Sequence, residues 1–134
     1  MTPDSVVDFG IILAAGGSTR MGVPKALLQW RGDVLVNAHI RAFENVCRTV
    51  IVVTGKHHAE ITACIHASAI IVHNEKWATT QMADSLRLGL HNRHGTALVT
   101  PVDCEPVPPE IALVLCETGA PAVPQYGDQD GHPI

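Results

Sequence analysis

Apolar positions along the chain fall into short runs that alternate with stripes at helical spacing. Gly10 to Ala15 is a compact apolar run closing on glycines, the pattern of a strand covered on both faces. A loop from Gly16 to Pro24 follows. From Asp33 to Val46 the apolar residues Leu35, Ala38, Ala42 and Val46 recur at intervals of three, four and four, which predicts one helical stripe. Thr49 to Val53 is β-branched and reads as a strand. His58 to Ala67 sets Ile61 and Ile65 on one helical face, and Ala69 to Val72 reads as the next strand. Ala83 to His91 carries Leu86 and Leu90 four apart, another helix, and Thr96 to Thr100 is strand-like again. Pro108 and Pro109 open a helix through Leu115, which Gly119 ends before the apolar Ala122 and Val123. Alternation of this kind predicts an α/β domain, three-layer αβα, with a mainly parallel sheet covered by helices on both faces and right-handed crossovers.

At 134 residues the chain suits a single domain, 1–134, able to bury roughly two thirds of its unfolded surface without a metal or disulfide. Aromatic residues make up 4%, which argues against stacking platforms for bases, and a formal charge of −4 argues against broad attraction to nucleic acid or acidic lipid. A polyanion would have to be held by a local site. Cys47, Cys64, Cys104 and Cys116 form no C-x-x-C pair and read as reduced thiols. No apolar run approaches the roughly twenty residues that span a bilayer, and Met1-Thr2-Pro3-Asp4 lacks a basic secretory segment. A soluble cytoplasmic protein is expected, with no membrane partner.

The densest chemistry lies in LAAGGSTRMGVPKALL, Leu13 to Leu28, where a buried strand delivers three glycines, two cations and a proline in one loop. Gly16 and Gly17 permit positive φ and close approach of main-chain N–H groups to an anion. Arg20 offers a planar fork for phosphate oxygens and Lys25 a movable point charge, its approach stiffened by Pro24. Gly17 and Gly22 have P-loop spacing, but Val23 stands where that loop needs Lys. Ala14 to Thr19 does not give G-x-G-x-x-G, and Arg20 replaces the last glycine of a nucleophile elbow. A P-loop NTPase and a serine hydrolase are both excluded.

The pattern L-A-A-G-x-S-x-R-M-G-x-P-K-x-L-L resembles the loop of sugar-phosphate and molybdopterin nucleotidyltransferases. The likeness continues through Thr54-Gly55, Asn74 with Trp77, Ser85-Leu86 with Gly89-Leu90, Pro101-Val102-Asp103 and Gly131-His132-Pro133, and is similar to the molybdenum cofactor cytidylyltransferase branch of MobA-like NTP transferases. It implies the Rossmann-like fold of nucleotide-diphospho-sugar transferases. It implies that Leu13, Ala14, Ala15, Gly16, Gly17 and Ser18 meet base and sugar, that Arg20 and Lys25 hold the triphosphate, and that Asp103 is the Mg²⁺ ligand. Ser85 is linked to nucleotide or acceptor contacts. The implied partners are CTP, with GTP as competitor, and a phosphorylated acceptor, molybdopterin. Magnesium bound by one carboxylate plus substrate phosphates agrees with general Mg²⁺ chemistry.

Departures from the pattern bear on activity. Cys104 and Glu105 stand between Asp103 and Pro106 where the family usually has one residue, and Trp77 to Ser85 lacks the usual glycine. Family members continue past G-H-P into further strands and a helix and carry a later acidic residue at the metal, whereas this sequence stops at Ile134. A catalytically impaired nucleotide-binding module is therefore the alternative, and an open sheet edge would favour a homodimer. Simpler uses compete at single positions: Asp103 as a cap for the segment at Pro108, Ser85 as a helix N-cap, Trp77 as packing and Cys104 as a small core residue. The pairs His57-His58 and His91 with His94 have no cysteine or carboxylate partners in register and do not build a metal site.

Overall fold

A computed structural model describes residues 7–17, 19–66, 68–108, 125–126 and 129–130. The helix expected from Pro108 onward, the Ala122-Val123 segment, Ser18, Cys116 and Gly131-His132-Pro133 lie outside the described residues. Four parallel strands make the central sheet: β1 (Val7–Ala14), β6 (Cys47–Thr54), β7 (Ile70–His73) and β8 (Ala97–Pro101), in the spatial order β7-β6-β1-β8. Between β1 and β6 lie two short hairpins, β2 (Thr19–Arg20) with β3 (Val23–Pro24) and β4 (Gln29–Trp30) with β5 (Asp33–Val34), and a single 3-10 turn at Lys25–Leu27. The helices are α1 (Leu35–Glu44), α2 (His58–Cys64) and α3 (Met82–Leu90). A further pair, β9 (Gln125–Tyr126) and β10 (Gln129–Asp130), is antiparallel.

Side chains of a strand alternate between faces, and both faces of this sheet are apolar. Ile12 and Ala14 of β1 join Val50 and Val52 of β6 beneath Val36, Ile40 and Phe43 of α1 and Ile61 of α2. Ile11 and Leu13 join Ile51 and Val53 on the opposite face, where Leu86 and Leu90 of α3 and Trp77 pack. Alpha helices on both faces of a parallel sheet give the expected three layers. Close packing also explains two glycines: a Cβ at Gly10 would stand 2.5 Å from the Phe43 ring, and one at Gly89 would stand 3.1 Å from Val53 Cγ2. The cores are apolar enough to drive folding at roughly 25 cal/mol for each Å² of apolar surface removed from water.

Two local expectations change. The stripe through Leu35, Ala38, Ala42 and Val46 is only partly what is buried: Leu35 and Val46 are in the core, Ala38 and Ala42 are half-buried, and α1 also turns Val36, His39, Ile40 and Phe43 inward. A histidine in the middle of the buried face hides part of it from an apolar periodicity. The region Gly16 to Pro24, expected as a loop, contains the β2–β3 hairpin, whose two-residue turn Met21-Gly22 has φ of 54° and 80°. Arg31-Gly32 turns the β4–β5 hairpin in the same way, with φ of 48° and 90°. Paired positive φ values are the conformation that matches the twist of the flanking strands.

Candidate functional site

Counting the four sheet strands in chain order, their spatial order is 3-2-1-4, so the direction of winding reverses between β1 and β8. A reversal of this kind opens a crevice at the carboxyl ends of the two strands, where ligands of doubly wound sheets bind. The glycine-rich loop leaves β1 at this point, and Asp103 follows β8 at the same level, since Leu13 pairs with Pro101 and Val102 N donates to Leu13 O at 2.9 Å. A cleft of about 120 Å³ lies there, lined among others by Leu13, Ala14, Gly16, Lys25, His57 and Asp103.

Five expected residues come together in this cleft: Leu13, Ala14, Gly16, Lys25 and Asp103. Pro24 delivers Lys25 into the 3-10 turn, and Lys25 Nζ stands 4.0 Å from Asp103 Oδ2, with side-chain exposures of 23% and 38%. An ion pair this open to water contributes about 0–1 kcal/mol, so an incoming polyanion can draw the ammonium away at small cost. A Cβ at Gly16 would meet nothing within 4 Å, which leaves the loop backbone open to a ligand on that side. Gly17 lies lower, where a Cβ would touch Lys56 Cδ at 3.0 Å.

Ala15 is buried and its carbonyl accepts from Lys56 N at 3.4 Å, tying the loop to the turn after β6. Gly55 makes that approach possible, for a Cβ there would fall 2.2 Å from Ala15 O and 2.7 Å from Trp77 Cβ. Trp77 therefore supports the loop from below, as the packing use expected.

Arg20 and Ser85 are placed elsewhere. Arg20 is exposed at the end of β2 and does not line the cleft. Ser85 is 4% exposed inside α3, and its Oγ accepts from Asn74 Nδ2 at 3.0 Å. Asn74 also donates to Thr80 Oγ1 at 2.9 Å and accepts from Lys76 N at 3.0 Å, so it organises the whole turn between β7 and α3. The N-cap of α3 is Gln81, whose N–H donates to Asp84 Oδ2 at 2.9 Å, and not Ser85.

Sequence reasoning passed over His39 and weighed His57, which lines the cleft, only as half of a histidine pair. His39 Nε2 lies 3.0 Å from Val102 O and 2.8 Å from Cys104 O, the carbonyls on either side of Asp103. Burial pushes its pKa down to about 4, against the upward pull of those two carbonyls and of the Asp103 charge. The Cys104 thiol is pushed up, first by burial and then by the Asp103 carboxylate, which favours its protonated form. At the start of α1, the Arg41 guanidinium, then the Val34 N–H and Asn37 amide, hold the Asp33 carboxyl well below the usual carboxylate range.

Among the described residues no group of three or more His, Cys, Asp or Glu could hold a metal ion. One half-exposed carboxylate facing a cleft nevertheless suits a hard cation that arrives with phosphate oxygens and keeps several waters, and does not suit a caged structural ion. No helix among the described residues is long and apolar enough to cross a membrane.

A doubly wound sheet with a glycine-rich loop and a carboxylate at its switch point is an α/β domain of Rossmann-like type. The chain belongs to the family of MobA-like NTP transferase domains, which matches residues 10–134. It is 35% identical over 51 residues to a probable molybdenum cofactor guanylyltransferase of Bacillus cereus, a match covering 38% of this chain and 26% of that protein. The fold is similar to Rv0371c from Mycobacterium tuberculosis, with a TM-score of 0.69 and 25% identity over 86% of this chain and 61% of that one. That protein is also known as a complex with manganese, similar at a TM-score of 0.65 and 21% identity over 84% of this chain and 59% of that one. A nucleotidyl transferase from Methanothermobacter thermautotroptrophicus gives 0.72 and 23% identity over 83% and 57% of the two chains. The chain thus spans only part of the length of each of these relatives.

Proposed function

We propose that residues 1–134 form a cytoplasmic nucleotidyltransferase domain that binds a nucleoside triphosphate with Mg²⁺ and passes the nucleoside monophosphate to a phosphorylated acceptor, the molybdopterin of the molybdenum cofactor. The observation that carries this reading is the meeting of Gly16, Lys25 and Asp103 in one cleft at the switch point. A phosphate oxygen of the acceptor attacks the α-phosphorus, the bond from that phosphorus to the bridging oxygen of the β-phosphate breaks, and pyrophosphate leaves with the electron pair. The backbone of Leu13, Ala14, Ala15, Gly16, Gly17 and Ser18 holds base and sugar, and Lys25 and Arg20 neutralise the triphosphate. Asp103 would hold the cation, which supplies charge neutralisation at the phosphate oxygens. Ser85 acts through the Asn74 turn that it helps to hold.

The resemblance to the cytidylyltransferase branch suggests CTP, while the guanylyltransferase named among the relatives suggests GTP. Cys47, Cys64 and Cys104, spread over separate elements, suit a reducing compartment. Pyrophosphate release with Mg²⁺, molybdopterin and either CTP or GTP tests the reaction and the base together. Lys25→Ala should lower affinity or turnover about ten- to hundred-fold, the loss of one charged phosphate contact. Unchanged affinity and rate in that variant would remove Lys25 from the site. Tight nucleotide binding with no pyrophosphate release would identify a binding module instead.

A further inference from the structure

We infer that His39 is a positioning residue for the carboxylate of the cleft, its imidazole clasping the two backbone carbonyls that flank Asp103. The inference rests on the reading of Asp103 as the group that holds the cation. His39 is 1% exposed and sits on the face of α1 otherwise made of Val36, Ile40 and Phe43. An imidazole on such a face is costly unless its nitrogens find partners. Both atoms near Nε2 are carbonyl oxygens, so Nε2 carries the proton and one N–H is shared between Val102 O and Cys104 O.

Carbonyls two residues apart converge on a single donor only when the chain curls around the residue between them, and here that residue is Asp103. The same turn is tied a second time, since Val102 N donates to Leu13 O at 2.9 Å, and a third time by Cys104 N on Pro101 O at 3.5 Å. Asp103 is thus fixed to β1 on one side and to α1 on the other, while its side chain remains 38% exposed toward Lys25. A leucine at position 39 would fill the volume and leave both carbonyls, one of them fully buried, without that donor. The turn would then relax and the carboxylate would lose its aim.

The pKa of about 4 agrees with this geometry, because an uncharged imidazole with one N–H is the form that two carbonyls can share in a desolvated site. Groups that hold and orient a ligand of a metal typically alter metal affinity or activity ten- to hundred-fold when removed.

The test compares His39→Leu with His39→Gln, whose amide carries N–H donors at a similar reach. Affinity for CTP and GTP is measured by calorimetry on the full chain, once with Mn²⁺ and once with EDTA, alongside thermal midpoints. The expected result is that His39→Leu weakens the Mn²⁺-dependent affinity about ten-fold and leaves the metal-free affinity unchanged. His39→Gln restores the Mn²⁺-dependent affinity to near the parent value even though its thermal midpoint stays lower. If His39→Leu does not fold, His39→Asn, too short to reach both carbonyls, takes its place with the same expectation. Parent-like Mn²⁺-dependent affinity in the donor-free or short variant, or a folded His39→Gln that restores nothing, overturns the inference. Asp103→Asn separates the two levels: if it leaves Mn²⁺-dependent affinity unchanged, the reading of the cleft itself is wrong, whereas a loss there with no loss at His39 removes only the positioning role.

Discussion

In the wall of the cleft Asp103 occupies a turn tied to both β1 and α1; outside the cleft, Arg20 rides a two-residue strand with its side chain in solvent. Lys25 stands between these extremes, anchored by Pro24 and the 3-10 turn yet holding only an open ion pair. The difference is one of preorganisation. The β8 wall is built before any ligand arrives, so its carboxylate loses little freedom on binding, whereas the hairpin carrying Arg20 must be ordered or moved by the ligand. In a transfer reaction that depends on alignment and charge, the fixed wall would define where the α-phosphorus lies and the hairpin would follow it.

Substitutions in the wall and in the hairpin should therefore affect folding and binding in opposite proportion. The largest effect is expected at Gly55, where a Cβ would overlap Ala15 O and Trp77. Gly55→Ala should cost about 3 kcal/mol in urea unfolding, the upper range for overpacking, and weaken nucleotide binding by displacing the glycine loop. A change below the scatter of the measurement would show that the β6 turn does not support that loop.

The pH response of the fixed wall comes next. His39 has a folded pKa near 4 against an unfolded value near 6.5, so the unfolded chain binds the additional proton between those values. The contribution is fully present above pH 6.5 and declines as pH falls toward 4, by about 3 kcal/mol in all. His39→Gln should flatten that part of the stability profile between pH 7 and 4.5, and an unaltered slope would place the acid sensitivity in other groups.

A smaller change belongs to the projecting hairpin. Gly22 has φ of 80°, and Gly22→Ala should cost about 1–2 kcal/mol at most, read as a shift in the urea midpoint without change in slope. Smallest for folding is Arg20→Ala, within about 0.5 kcal/mol in unfolding, while triphosphate affinity falls measurably. If that variant destabilises the fold more than Gly22→Ala, Arg20 belongs to the scaffold and the contrast between wall and hairpin disappears.

Some of this was legible in the residues. Gly10 to Ala15 and the β-branched run to Val53 are buried on both faces, and an uninterrupted apolar stretch has that meaning wherever it falls in a sheet. Leu86 and Leu90 likewise face the core as their spacing implies. The hairpins at Met21-Gly22 and Arg31-Gly32 escaped because their first turn residues are not the Asn or Asp that normally announce paired positive φ. The buried face of α1 escaped for another reason: His39 counts as polar in any periodicity, and only its two carbonyl partners, 63 and 65 residues away, make it a core residue.

What the chain determined by itself was the alternation of elements, the glycine-rich loop behind the first strand and the carboxylate behind the last long one, because period and local backbone chemistry are properties of neighbours in sequence. Tertiary structure decided which cation meets that carboxylate, that Arg20 stands outside while Ser85 turns inward to Asn74, and that a histidine of α1 grips the turn of Asp103. Those relations join residues that only the reversal of winding between β1 and β8 and the packing of α1 bring within hydrogen-bond reach.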